Sequence, residues 1–449
     1  MTGGPRLWWL SPATISVVIA AISIIPTAVV SDQTFRTLWR TPRSITDHTL
    51  LLFACGVAAL VFGAVVAIAT GRDLRPMSRP WPGLHPATVA LMRKASTVML
   101  ALTLFGYTGF VLLIARAGIT PSMLLGMSDN TSLRDSIGTI PGVTTLTQLG
   151  IVVVVLSTTV LAQEFSRGEL TKVLVVVGLS IPRAYINSER LAILELVVPI
   201  AVIVAARLSI RPGLRRRITQ LVPVVGLAAV IVIFGFFEYF RSWKFYRANT
   251  DTSFPEFILS RFAGYYVTAL NNGELVLAHL DWKGRWPFET LDAFWSAPGI
   301  EQIALYERLG GMPRESNRTL DSPYFDVLKQ FGNPELNNPS GYVGPFIDYG
   351  QIGGLIVFFV LGLLAGFLYR RFCAGQPMGL LVYPVFFTGL IEIPRYLYWV
   401  QGRTTYGWLA LAIVVVIITR AINRLEASQR RLAPSVSDAN SSLALEHQK

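Results

Sequence analysis

Runs of uncharged apolar residues recur along the whole chain, and several reach the ~20 residues that a helix needs to cross a bilayer. Hydropathy predicts ten helices, at roughly 10–30, 49–70, 96–116, 143–162, 169–182, 190–208, 219–238, 346–369, 379–398 and 405–420. The fifth is short and is expected to end at Pro182, as a half-buried or broken helix. Between the seventh and eighth lies a stretch of roughly a hundred residues, far above the usual connection length, and such loops are usually functional.

Orientation follows from where the cations fall. Arg72, Arg75, Arg79, Arg93, Lys94, Arg167, Lys172, Arg211, Arg215, Arg216, Arg217, Arg370 and Arg371 occupy one alternate set of connections, which the positive-inside rule places in the cytoplasm. Both termini are then expected in the cytoplasm of a plasma-membrane protein. The expected organisation is seven spans over 1–238, an extracytoplasmic loop subdomain over 239–345 and three spans over 346–420. A polar, Ser-rich cytoplasmic tail over 421–449 is expected to be disordered.

Composition sharpens this picture. Only 15% of residues are charged, 52% are hydrophobic and the mean hydropathy is +0.50, whereas an average soluble domain is roughly 25% charged. The fold class is therefore all-α and polytopic. A net charge of +12 raises nucleic acid as a partner, but the arginines sit in membrane connections and no basic run is interleaved with base-stacking aromatics, so no nucleic-acid partner is expected. Cys55 and Cys373 have no disulfide or metal-site spacing, and no clustered His, Cys or carboxylate pattern calls for a metal.

The long loop has patterned pieces. SFPEFILSRFAGYYVTALNNG places Phe254, Ile258, Phe262, Tyr265 and Ala269 at helical spacing, with Asn271, Asn272 and Gly273 as the expected stop. This is an amphipathic helix that packs on the bundle or lies along its surface. Arg261 sits close to its apolar side, either snorkelling or contacting an anion. WKGRWPFETLDAFWS and FGNPELNNPSGYVGPFIDYG mix aromatics with Asn, Asp and Gly, which suits sugar rings and also suits a compact loop core; Asn337 and Asp348 belong to the second stretch. Asp348 is either a cap favoured by the helix dipole at the start of the eighth span or an orienting base for a hydroxyl. His279 is another candidate base.

Three further stretches place charge at the expected outer face. In IPRAYINSERLAILELVV, Arg183 and Arg190 flank a tight connection, accompanied by Glu189 and Glu195. Charge at membrane depth must pair, snorkel or serve a function. In GLIEIPRYLYWVQGRTTYG, Glu392 and Arg395 share a helix face, Pro394 ends or kinks that helix, and Arg403 follows. Arg183, Arg190, Arg395, Arg403 and Arg261 are expected to converge on one pocket, because guanidinium holds phosphate bidentately and stays charged.

PGVTTLTQLG, INSERLAILELVVP, LSRFAGYYVTALNNG and GPFIDYGQIGGLIVFFVLGLLAGFLY, in that order from about residue 140 onward, resemble the O-antigen polymerase family, the oligosaccharide repeat-unit polymerases. The resemblance implies a GT-C-like, metal-independent glycosyltransferase without a cofactor. Such an enzyme moves a growing glycan from undecaprenyl pyrophosphate to a new lipid-linked repeat unit in the bilayer, with a chain-length regulator and a flippase as candidate partners. In that reading Arg190 and Arg395 stabilise the departing pyrophosphate, and Asp348 serves the acceptor hydroxyl. Arg183, Arg261, Tyr265, Arg403 and Asn337 bind substrate. An O-antigen ligase shares these features, and a lipid-linked sugar flippase is the alternative from another class. A protein-mannosylating transferase would want an acidic pair in the first outer loop, where only the separated Asp32 and Asp47 occur.

Overall fold

The computed structural model describes residues 7–71, 84–119, 137–138, 140, 142–186, 191–210, 214–248, 251–280, 286–297, 299–311 and 323–432. Among them the secondary structure is helical, with no strand. A helix occupies each of the ten apolar segments: α1 (Pro12–Val29), α3 (Asp47–Ala69), α4 (Pro86–Arg116), α5 (Gly150–Gln163), α6 (Arg167–Ile186), α7 (Leu191–Ser209), α8 (Leu214–Glu238), α12 (Val343–Cys373), α13 (Pro377–Glu392) and α14 (Thr405–Leu432). Between them lie α2 (Asp32–Trp39), α9 (Phe254–His279), α10 (Asp292–Trp295) and α11 (Pro323–Phe331). Among the described residues eight helices are long and apolar enough to cross a membrane. α13 is apolar but shorter, and α6 carries Arg167, Glu169, Lys172 and Arg183. The chain is a polytopic, all-α membrane protein.

Local chemistry starts these helices where they start. Proline opens α1, α4 and α13, where its missing N–H is no loss. The Thr46 side chain accepts from the Thr49 N–H and caps α3, with Asp47 in its first turn. Pro182 does not end α6, which runs on to Ile186. Pro26, Pro199, Pro223 and Pro384 also lie inside helices, because neighbours in a membrane bundle re-satisfy the freed carbonyl.

α5 forms the centre of the bundle: Val152 to Leu156 and Val160 are fully buried, as are Ser157 and Thr159. α3 and α12 pack closest. A Cβ on Gly63 would overlap the Phe359 carbonyl oxygen, and one on Gly362 would overlap that of Leu60. Close backbone approach of this kind supplies the van der Waals contact that holds helices together where lipid removes the hydrophobic drive. Glu169, 3% exposed, ties α4, α5 and α6: it accepts from Ser96 Oγ (3.1 Å) and Ser157 Oγ (2.7 Å) and pairs with Lys172 Nζ (2.7 Å).

The connections sort into two ends. At the basic end Arg93 pairs with Glu164 (2.8 Å), Arg207 donates to the Ala162 carbonyl (2.6 Å) and Arg370 to that of Ala67 (3.0 Å). The start of α1 lies there too, with Trp9 donating to the Thr219 carbonyl (3.0 Å). α14 also ends there, and its helix continues to Leu432. The expected tail therefore begins later than residue 421, and residues 433–449 lie outside the described residues.

At the loop end α9 is built into the bundle. Its Asn271 and Asn272 are not a stop: the helix continues to His279. Their side chains hydrogen-bond to neighbouring loops rather than competing with their own helix. Asn271 Oδ1 accepts from the Ser44 and Ile45 N–H groups (2.7 and 3.0 Å), and its Nδ2 donates to the Pro42 carbonyl (3.1 Å). Asn272 Nδ2 donates to the carbonyls of Leu336 (2.6 Å) and Asn338 (3.1 Å).

Candidate functional site

The connection between α13 and α14 carries two of the expected arginines, and its path is set by a backbone contact. α13 stops at Glu392, two residues before Pro394. Ser340 N–H then donates to the Arg395 carbonyl and Gly341 N–H to that of Ile393, each at 2.9 Å. Only glycine fits at 341, because a Cβ there would run into the Tyr396 carbonyl and the Ile393 oxygen.

Arg395 Nη1 meets Glu392 Oε2 at 2.8 Å, with side chains 18% and 3% exposed. The guanidinium carbon stands 5.1 Å from the Tyr396 ring centroid and 5.6 Å from that of Tyr265, within cation–π range. The pair expected from their spacing of three forms, but across the turn that follows α13 rather than along a shared helix face. Tyr265 and Arg395 thus come together, and with Phe234, Phe262 and Tyr266 they line a cavity of about 430 Å³, counting the solvent at its mouth.

Eight residues on, Arg403 Nη2 lies 3.4 Å from Glu195 Oε1 of α7. Gln148 fixes this stretch from the other side. Its Nε2 donates to the Gly402 carbonyl (3.3 Å) and its Oε1 accepts from the Tyr406 N–H (3.2 Å). Arg183, near the end of α6, stands close enough to Tyr107 of α4 to interact with its hydroxyl electrostatically. Arg183, Arg403, Glu195, Gln148, Tyr398 and Trp408 line a second cavity, about 420 Å³ with its opening. Tyr398 lines it with a buried hydroxyl that has no hydrogen-bond partner among the described residues. Burial, and then the Glu195 carboxylate, push this phenol well above its ordinary pKa. The two arginine–carboxylate pairs are electrostatic neighbours, because Tyr396 feels both Arg395 and Arg403 and Tyr398 feels both Glu195 and Glu392. Among the described residues, three guanidiniums and two carboxylates stand around these two cavities.

The other expected residues lie elsewhere. Arg261, 8% exposed, turns from both cavities to make ion pairs with Glu238 (2.7 Å) and Glu335 (3.0 Å). Burial is the largest single influence and would lower its pKa, but Glu238, Tyr265, Glu335 and Tyr246 together outweigh it, and the guanidinium is held more tightly charged than a free arginine. Arg261 joins the end of α8, α9 and the 335 loop, so it does not converge with the others. Asn337 is exposed, and its carbonyl accepts from the Tyr324 hydroxyl (3.0 Å). The His279 ring stacks on Phe331 at 4.0 Å. Arg190 lies outside the described residues.

Asp348 is neither a cap of its own helix nor an open carboxylate. α12 begins at Val343 and is broken at Gly350, whose φ of +69° suits glycine. Asp348 therefore closes a short first piece of that helix. Its Oδ1 accepts from the N–H groups of Phe288 (3.0 Å) and Glu289 (3.1 Å), and its Oδ2 accepts from Thr290 N–H (2.7 Å) and Thr290 Oγ1 (2.6 Å). It caps a turn some sixty residues earlier in the chain and docks it on α12.

Gln148 and Tyr398 escaped the sequence reading. Both sit in quoted stretches, but neither bears a charge that would single it out. Among the described residues no group of three or more His, Cys, Asp or Glu is placed to hold a metal ion. No family model matches the chain, and no curated protein or solved structure is significantly similar to it.

Proposed function

We propose that this chain is a membrane glycan transferase of the repeat-unit polymerase kind, with the loop end facing the outside of the plasma membrane and both termini in the cytoplasm. The observation that carries this reading is the gathering of Arg183, Arg395 and Arg403 at one end of the bundle, with the unpartnered Tyr398 hydroxyl on the cavity wall. The distribution of basic residues over the opposite end supports the orientation.

In this reading a glycan linked to undecaprenyl pyrophosphate enters from the bilayer with its diphosphate at Arg403 and Arg183. An acceptor hydroxyl of a second lipid-linked unit attacks the anomeric carbon, and the bond from that carbon to the phosphate oxygen breaks. The diphosphate leaves with the electron pair, and fixed guanidiniums stabilise the charge it gains. Glu195 faces the same cavity and takes or orients the hydroxyl proton. Asp348 is assigned to docking the Phe288–Thr290 turn, since four donors already occupy its oxygens.

The test incubates the purified protein in nanodiscs with a synthetic undecaprenyl-pyrophosphate repeat unit and no nucleotide sugar. A ladder of products is expected, lost in Arg403→Ala and in Arg183→Ala variants whose thermal unfolding is close to that of the parent. A ladder unchanged in both variants overturns the assignment. Movement of the lipid-linked unit across vesicles with no new glycosidic bond would mark a transporter instead.

A further inference from the structure

The segment from Phe288 to Trp295 belongs to no span, yet it is fastened to the tops of two. On one side Asp348 holds its first turn, and Thr290 Oγ1 shares a further hydrogen bond with the Tyr349 hydroxyl (3.1 Å). On the other, Thr405 Oγ1, at the first residue of α14, donates to the Ala293 carbonyl (3.3 Å).

Directly beyond each fastening begins a column of exposed apolar side chains. On α12 these are Ile352, Ile356, Val360 and Leu364, at 77, 58, 54 and 42% exposure and a constant spacing of four. On α14 they are Leu409, Ile413 and Ile417, at 58, 50 and 49% and the same spacing. Such a stripe along a membrane-spanning helix is its lipid-facing side.

The fastened segment carries further exposed apolar side chains beyond those helix ends. Leu291 is 41% and Phe294 46% exposed, while Trp295 between α10 and the bundle is buried. Tyr349 is 40% exposed with its hydroxyl occupied, and Trp286 is 48% exposed while its Nε1 donates to the Leu309 carbonyl (2.8 Å). In water, exposed apolar area of this kind forgoes about 25 cal/mol per Å². At the headgroup layer it is rewarded, and tryptophan and tyrosine with a polar tip and an apolar ring concentrate there.

We propose that the Phe288–Trp295 segment is a membrane-interface anchor: Leu291 and Phe294 enter the headgroup layer of the bilayer, held at that depth by Asp348 and Thr405. The occupant of this surface is lipid, because the segment is fastened at the ends of two helices whose exposed apolar stripes face lipid. The proposal concerns how the loop end is seated and is independent of the reaction proposed above.

The test uses the full chain carrying Cys55→Ser and Cys373→Ser, with a nitroxide attached at Leu291→Cys or Phe294→Cys, in nanodiscs of phosphatidylethanolamine and phosphatidylglycerol. Asn337→Cys serves as the water-exposed reference and Ile356→Cys as the lipid-exposed one. Collision rates with oxygen and with a water-soluble nickel chelate report depth. The ratio of oxygen to nickel collisions at 291 and 294 is expected to exceed that at 337 several-fold and to fall short of that at 356. Ratios equal to that at 337 overturn the proposal, and so does dipolar broadening between labels, which would mean that a second copy covers the patch. If the labelled variants do not fold, the otherwise unaltered protein gives the second reading. Lipids brominated near the headgroup should quench the fluorescence added by Phe294→Trp, and an added fluorescence that they leave unquenched overturns the proposal.

Discussion

Replacing Asp348 by alanine removes the acceptor of three main-chain N–H groups and one hydroxyl at a single point. Fully buried bonds to a charged acceptor contribute about 1.5–3 kcal/mol each. Asp348 is only half-buried, so water competes for the donors and each bond is discounted to roughly 0.5–1 kcal/mol. Four of them make the docking of the 288–290 turn weaker by about 2–4 kcal/mol, which speeds opening of that turn roughly 30-fold to nearly 1000-fold. Native-state hydrogen exchange followed by mass spectrometry reads this directly. Peptides covering 286–297 should lose protection by that factor in Asp348→Ala, while peptides from α3 and the membrane part of α12 keep theirs. Asp348→Asn should retain about half of the effect, because an amide offers one oxygen and turns a second donor toward N–H groups. Protection of 286–297 unchanged in Asp348→Ala refutes the docking role. Loss of glycan transfer in Asp348→Asn, with the turn still protected, would restore the proton-handling role that the sequence suggests.

Arg261→Ala removes one ion-pair partner of the fully buried Glu238 carboxylate and should cost stability, with about 3–5 kcal/mol as the ceiling for breaking a buried pair; thermal unfolding in detergent should show the drop, with partial recovery in Arg261→Ala/Glu238→Gln, and a neutral single variant would contradict the importance of the pair. Gly362→Val places side-chain atoms in the Leu60 backbone and should separate α3 from α12; a purified variant with the parental unfolding temperature would show that the contact is slack. Asp32 accepts from Arg36 Nε (2.6 Å) and from the Arg43 N–H (2.8 Å), and the Arg36 hydrogen bond foremost holds its pKa below the ordinary 3.8. Because the folded value is depressed, its contribution is present above the ordinary carboxylate range and fades as pH falls through the folded pKa. Exchange protection of the 41–45 amides should therefore be flat from neutral pH to the ordinary value and fall only below it, whereas Asp32→Asn should show no such acid limb.

The membrane helices were legible because a span is declared by length and apolarity alone, properties that each segment carries without reference to its neighbours. The arginine partners were not. Glu392 and Arg395 are three apart in the chain, so their pairing could be read from spacing, although Arg395 lies in the turn just past the end of α13. Arg403 instead finds Glu195 more than two hundred residues away, and Arg261 finds Glu238 and Glu335 on either side in the chain; both choices depend on how helices are rotated against each other. Asn271 and Asn272 misled for a related reason. Taken alone they favour a helix end, but loops distant in sequence supply the groups they hydrogen-bond. Asp348 sat at a membrane doorway, yet what it caps lies across a connection whose path no local pattern specifies.

The enclosure of α5 bears on how the chain is made. Ser157, Thr158 and Thr159 lie on a helix that meets almost no lipid in the finished bundle, but α5 leaves the ribosome before α7, α13 and α14, which pack against it. During that interval α4 and then α6 are on hand to cover it, with Ser157 of α5 and Ser96 of α4 both donating to Glu169 of α6. Early pairing of these three helices would shelter the hydroxyls until synthesis of the last spans closes the wall, so a nascent chain stalled after α6 should already hold α5 away from lipid.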